Sequence, residues 1–194
     1  MAAYLGLTSE SRGEYHEKGS KFLAFAYPIL DSQEALGHVD TLRKAHPRAR
    51  HVCYAYTLGS NHLEWRVQDD GEPNGSAGLP ILNQLKSANL SFVLLAVVRY
   101  FGGTKLGLPG LVNAYKSAAK DAIEHSTTAI IHEHCTLSFT ITYALSPKVF
   151  GFVKKNGAII VDSQIGETCT FTLDIIKDEK DTYLEFLSSL GIPV

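Results

Sequence analysis

The sequence contains no run of about 18 consecutive apolar residues, so it offers no helix able to cross a bilayer. Its opening residues lack a basic segment followed by an apolar core, so no secretory signal is expected and the reading is cytosolic. Neither sign of charge prevails: 18 Lys and Arg against 20 Asp and Glu leave a formal net charge of −2. That excludes a general pull toward nucleic acid or acidic membrane, and any such contact has to come from a local patch. Cysteine is scarce. The three residues Cys53, Cys135 and Cys169 are odd in number, far apart, and never in C-x-x-C or Cys/His metal spacing. This speaks against a disulfide framework or a zinc site and for buried free thiols in strand-like contexts. What remains is ordinary for a globular chain of one large or two small domains: 194 residues, 45% hydrophobic and 20% charged.

Hydrophobic periodicity sets the elements. Residues 1–18 are mixed and polar and read as an irregular start. Residues 21–30 carry Phe22, Phe25, Tyr27 and Ile29 with Pro28 near the end, which predicts a strand close to a sheet edge. Asp31 with Glu34 three residues later resembles a capping box. Leu36, Val39 and Leu42 continue that helix, and Arg43 and Lys44 suit its negative end. Val52, Tyr54, Tyr56 and Leu58 alternate, as do Leu63, Trp65 and Val67, giving a β-hairpin about Gly59-Ser60-Asn61. Ser76 is placed to cap a short helix containing Pro80, Leu82 and Leu85. Residues 92–98 are continuously apolar, as in a central strand buried on both faces. Leu108, Leu111, Val112, Tyr115, Ala119, Ala122 and Ile123 mark the longest helix.

A change of pattern at 125–131 divides the chain into expected units of 1–128 and 129–194. The second holds strands at 135–143, 157–161 and 168–176, and helices from Ser146-Pro147 and around Tyr183 to Leu190. With a strand stub at 192–194 the order is βαββα(β), that of a ferredoxin-like module. The fold class expected is α+β in two domains, the first an α/β sandwich.

Two glycine-rich turns carry the candidate chemistry. In the first, Asp69, Asp70 and Glu72 could hold a hard cation or supply an acid/base pair, or they form a solvated turn. Gly71, Gly75 and Gly78, with Asn74 and Ser76, precede a helix start whose N–H groups could cradle a phosphate, although the acids upstream would repel it. In the second, Arg99, Tyr100, Phe101, Gly102, Gly103 and Lys105 follow the apolar strand. Arg99 could grip a phosphate while Tyr100 and Phe101 stack on a base. Equally, Arg99 could pair with Asp69 or Glu72 as a clamp between the loops. Arg43, Lys44, His46, Arg48, Arg50 and His51 form the basic stretch, suited to RNA or an acidic protein face, with a basic helix end and a solvated loop as the plain alternative. His51 and Cys53 are two apart on one strand, a spacing that permits a dyad, but no oxyanion-hole motif or third partner accompanies them. No catalytic residue, metal or cofactor is assigned.

The combination of Lys18-Gly19-Ser20-Lys21-Phe22, Asp69-Asp70-Gly71-Glu72-Pro73, Ser76-Ala77-Gly78 with Pro80-Ile81-Leu82, and Val98-Arg99-Tyr100-Phe101-Gly102-Gly103 with Lys105-Leu106-Gly107 resembles the IMPACT/YigZ family over roughly residues 15–125. The resemblance implies an N-terminal domain of the type shared with elongation factor G domain IV and GHMP kinases, and a ferredoxin-like C-terminal domain similar to domain V of that factor. It also implies translational control, which eukaryotic members exert by binding a scaffold protein. Pro109 and Asn113 stand where the family pattern implies glycine and arginine, which weakens any phosphate grip built on that arginine. The function expected is a non-enzymatic, translation-related regulator that binds RNA, the ribosome or a protein partner. A small metal-dependent hydrolase or phosphoryl-group enzyme built on the acidic loop is one alternative, and a scaffold that binds no nucleic acid is the other. The contact residues expected are Lys18, Lys21, Arg43, Lys44, Arg48, Arg50, Asp69, Asp70, Glu72, Ser76, Arg99, Tyr100, Phe101, Gly102, Gly103 and Lys105. They form one surface only if the two turns meet.

Overall fold

A computed structural model describes residues 3–60 and 62–192. They fall into two compact units, Tyr4–Ile131 and one made chiefly of residues 132–192. Asn61 of the expected hairpin turn, and residues 193 and 194 of the expected strand stub, lie outside the described residues.

In the first unit the order is β1 (Ala3–Leu7), β2 (Ser11–Glu17), β3 (Ser20–Pro28), α1 (Ser32–Ala45), β4 (His51–Leu58) and β5 (Glu64–Gln68), then α2 (Gly78–Ser87), β6 (Val93–Tyr100), α3 (Gly107–Glu124) and β7 (Thr128–His132). Strands β2-β3-β6-β4-β5 form one sheet with every neighbouring pair antiparallel. β6 runs through its centre, and Val93 to Val98 are wholly buried. The reason is geometric: side chains of a strand alternate between faces. Val93, Leu95 and Val97 meet α2 and α3 on one side, while Leu94, Ala96 and Val98 meet the α1 layer on the other. Ala114, Ala118, Ala119 and Ala122 keep α3 small where it lies on the sheet. It comes so close to β2 that a Cβ on Gly13 would sit 2.3 Å from the Ala122 backbone nitrogen.

Asp31 caps α1 as the spacing predicts: its Oδ1 accepts from the Glu34 N–H at 2.8 Å, and the Glu34 carboxylate accepts from the Leu30 N–H at 2.6 Å. Two expectations need correcting. Residues 3–7 and 11–17 are strands rather than an irregular start; β2 reads as polar because it lies at the sheet edge with Arg12, Glu14 and His16 exposed. β3 lies close to the sheet edge as expected, one strand in from it between β2 and β6, with Pro28 at its last position where little pairing remains to be lost. Ser76 does not cap α2; Ala77 occupies that position, and the Ser76 hydroxyl donates to the Pro73 carbonyl at 2.6 Å.

The second unit contains β8 (His134–Thr142), a short 3-10 turn, α4 (Ser146–Asn156), β9 (Ile159–Gln164), β10 (Thr168–Ile176) and α5 (Lys180–Ser189). The sheet order is β8-β10-β9, antiparallel throughout, which is the arrangement of a ferredoxin-like βαββα module. Gly157, at φ 74°, ends α4 in the left-handed conformation that glycine adopts without penalty. Leu137, Phe139, Phe171, Leu173, Val149 and Tyr183 belong to its core. Its opposite sheet face carries hydroxyls instead, with Ser138 and Thr172 3.1 Å apart and Thr140 and Thr170 3.0 Å apart. The chain is thus α+β in two domains. Among the described residues no helix is long and apolar enough to cross a membrane.

Candidate functional site

The acidic turn after β5 directs its three carboxylates to three different places. Asp69 faces the start of α2: Oδ1 accepts from the Ala77 and Gly78 N–H groups at 3.0 and 2.8 Å, and Oδ2 from the Gly75 N–H at 2.8 Å. A carboxylate there satisfies orphan amides and meets the positive end of the helix dipole. Asp70, at φ 47°, turns the other way. It accepts from Arg43 at 2.8 Å and from the Val52 N–H at 2.6 Å, and the ion pair raises the Arg43 pKa. Glu72 points inward, its side chain only 4% exposed, and its Oε1 accepts from Arg99 Nη1 at 2.5 Å and from the Tyr115 hydroxyl at 2.8 Å. The three carboxylates therefore do not converge on one cation. Among the described residues no group of three or more His, Cys, Asp or Glu side chains is placed to hold a metal. Because Asp69 serves three amides, Asp69→Ala should destabilise the first unit by at least about 2 kcal/mol. A thermal melt should show this as a fall of roughly 4–8 °C; an unchanged melting temperature would refute the capping role.

Beneath Glu72 lies a group that sequence reasoning treated only as core. Tyr115 on α3 is fully buried, and its hydroxyl lies 3.3 Å from the Cys53 sulfur, which is also 3.0 Å from the Asp69 carbonyl. Burial pushes both the phenol and the thiol well above their ordinary pKa values, so both stay neutral. A protonated, buried thiol is a poor nucleophile. His51 contacts the Asp70 carbonyl through Nδ1 at 2.8 Å. No hydrogen bond joins His51 to Cys53, so the permitted dyad is not formed. The only sequence signal for Tyr115 was its place four residues after Leu111 on the helix face turned to the sheet.

The basic turn is built around Arg99, which is 6% exposed at the end of β6. Its guanidinium carbon lies 5.4 Å from the Phe22 ring centre and 5.7 Å from that of Phe101. Its Nε is buried and has no partner among the described residues. Tyr100 points to the opposite face, packs with the α1 layer and reaches His46 Nδ1 at 2.8 Å. Tyr100 and Phe101 therefore do not form one stacking platform. Gly102 donates to the Ser20 hydroxyl at 3.1 Å and lies against the β2–β3 turn, where Lys18 and Gly19 both have positive φ. Lys18 is exposed, and Lys21 pairs with Glu14 at 3.1 Å. Gly103 has φ 89° with open space around it.

The two turns meet. Glu72 and Lys105 line one cleft of about 480 Å³ with Arg50, His51, Pro73, Arg99, Phe101, Leu106, Gly107, Leu108 and Leu111. The clamp between the loops is the Arg99–Glu72 pair. Of the remaining basic residues, Arg43 is held by Asp70. Lys44 and Arg48 are exposed and do not line the cleft. Ser76 is buried away from it, and neither Pro109 nor Asn113 lines it. Leu108 and Leu111, which the sequence marked only as helix core, and Leu106, which it marked only within the family motif, also line the cleft.

A family profile described as Impact N-terminal domain matches residues 18–123, a span that contains every residue of this cleft. The IMPACT family member YvyE of Bacillus subtilis is 28% identical over 190 residues, which cover 98% of this chain and 88% of that protein. An IMPACT family member of Thermus thermophilus, from a pol 5′ region, is 35% identical over 154 residues, 79% of this chain and 83% of that protein. Among solved structures, the crystal structure of a hypothetical protein shares the fold, with a TM-score of 0.75 and 24% identity over 98% of this chain and 93% of that one.

Proposed function

The chain belongs to the IMPACT family, and we propose that it is a non-enzymatic, translation-related regulator that binds RNA, free or on the ribosome. The observation that carries this reading is the single cleft in which Arg50, Arg99, Lys105 and the half-exposed Phe101 come together. Cations that follow a phosphate backbone and an aromatic that accepts a base are the two ingredients of single-strand recognition. Translational control is the role that the family resemblance implies, and the cytosol is the compartment that fits it. The enzymatic alternative is less well supported. Asp69, Asp70 and Glu72 are committed to α2, Arg43 and Arg99, and the buried thiol of Cys53 is held protonated.

Charge removal should be made at cations that have no ion-pair partner among the described residues. Replacing Lys44, Arg48, Arg50 and Lys105 together by glutamine is expected to weaken retention on ribosomes and on single-stranded RNA. It should also flatten the salt dependence by roughly 0.7 log units for each phosphate that is no longer neutralised. The measurement is binding at several salt concentrations. RNA and ribosome binding that survives all four replacements would overturn the reading, as would lysate partners retained unchanged after nuclease treatment.

A further inference from the structure

We infer that β5 is the seam of a symmetric dimer, in which its outer edge pairs antiparallel with the same strand of a second copy of this chain and the two sheets become one. None of the residues lining the cleft belongs to β5, so the seam stands or falls independently of the RNA reading.

The first observation is how differently the two ends of the first unit's sheet are finished. An edge strand turns part of its backbone N–H and C=O groups outward, where another strand can pair with them. At the β2 edge α3 takes up such groups: the Glu14 N–H donates to Asp121 Oδ2 at 2.8 Å, and the Ser11 hydroxyl donates to the Ala122 carbonyl at 2.8 Å. The β5 edge has no such cover. Among the described residues no backbone group of Glu64–Gln68 is hydrogen-bonded to anything beyond β4. β5 pairs with β4 in unbroken register and holds no proline, lysine or bulge, the devices that keep an open edge from pairing.

The second observation is what this edge presents. Trp65, the only tryptophan of the chain, is 49% exposed, and Leu63, just before the strand, is 84% exposed. Lys86 Nζ lies 4.9 Å from the Trp65 ring centre, which places that ring on the α2 side of the sheet, the side on which Val67 packs. Tryptophan is among the residues that most often carry the energy of an interface. Glu64 and Arg66 stand on the other face, opposite Leu58 and Tyr56 of β4. Both are exposed, and neither has an ion-pair partner among the described residues.

Charge selects both the partner and the register. With two copies paired antiparallel about Trp65, Glu64 of each copy lies opposite Arg66 of the other, twice by symmetry. The two Trp65 side chains then lie side by side, and Leu63 of each copy faces Val67 of the other. Pairing about Glu64 or about Arg66 would instead set like charges opposite each other, which destabilises a ladder. Self-complementarity of this kind is what an isologous two-fold interface requires, and strand addition at an open edge supplies its backbone hydrogen bonds.

The test is sedimentation velocity of the full chain over a dilution series, with Trp65 emission as the local reading. The parent should sediment at twice the chain mass when concentrated and dissociate on dilution, with the emission moving to the red as Trp65 meets water. Glu64→Arg and Arg66→Glu, each alone, should raise the dissociation constant about tenfold or more, because both cross-strand pairs become repulsive. Mixed with each other, the two single variants should associate as tightly as the parent, since every pair is then of opposite sign. Both positions are exposed, so the fold is kept, and an unchanged far-UV circular dichroism spectrum checks this. A parent that stays monomeric when concentrated overturns the proposal, as does a dimer that either reversal leaves intact. Two variants that dissociate alone and fail to associate when mixed would overturn it as well.

Discussion

Glu72→Ala is expected to destabilise the first unit by about 3–5 kcal/mol, because it leaves a buried guanidinium without its counter-charge. Arg99 and Glu72 are exposed by only 7% and 4% at their side chains, so water cannot replace the missing partner without local opening. The Tyr115 hydroxyl, fully buried, loses its acceptor in the same substitution. Glu72→Gln should fall between, since an amide oxygen still accepts from Tyr115 but brings no charge to Arg99. The double replacement Glu72→Leu with Arg99→Met should cost less than the two single changes added together, as is usual when a buried pair is removed whole. Urea unfolding followed by far-UV circular dichroism measures each of these. A Glu72→Ala protein within about 1 kcal/mol of the parent would mean that the clamp does not hold the two turns together.

Gly102→Ala should also destabilise the first unit, at the upper end of the overpacking range, for a steric reason. A Cβ at that position would lie 1.9 Å from the Gly19 carbonyl carbon and 2.2 Å from both the Gly19 oxygen and the Ser20 nitrogen. All three are backbone atoms, so no side chain can swing away, and the β2–β3 turn itself has to move. Overpacking of this kind costs about 1–3 kcal/mol or more, and here it also breaks the Gly102 to Ser20 hydrogen bond. Gly103→Ala is the control: its new Cβ meets nothing within 4 Å, but its φ of 89° is unfavourable for an L-residue. That substitution should cost only about 1–2 kcal/mol. Equal melting temperatures for the two variants would contradict the close approach of the turns.

Where a signal is local, the sequence reading and the structure agree. The α1 cap needs only Asp31 and Glu34 in one turn of chain. The central strand announces itself as an unbroken apolar run because both faces are covered. The strand read at 168–176 has the bounds of β10, whose residues alternate in burial from Cys169 to Ile175. The failures share a different cause. β2 has little apolar patterning of its own and is a strand because β3 pairs with it along its whole length. Ser76 has the right chemistry for a cap, yet Asp69, eight and nine residues before the Ala77 and Gly78 amides, takes that role.

Most of the elements, the α+β class, the resemblance to the family and the two oppositely charged glycine-rich turns are legible in the residues alone. They leave open whether Arg99 grips a ligand or clamps the loops, and which of three neighbouring carboxylates would answer it. It takes the folded chain to show that Glu72 is the partner, that Asp69 and Asp70 turn elsewhere, and that Tyr100 and Phe101 part to opposite sides. The reason is that hydrogen bonds and ion pairs act over about 3 Å, and distances of that size between remote residues are set by strand register and helix docking. Residue spacing along the chain carries no such information.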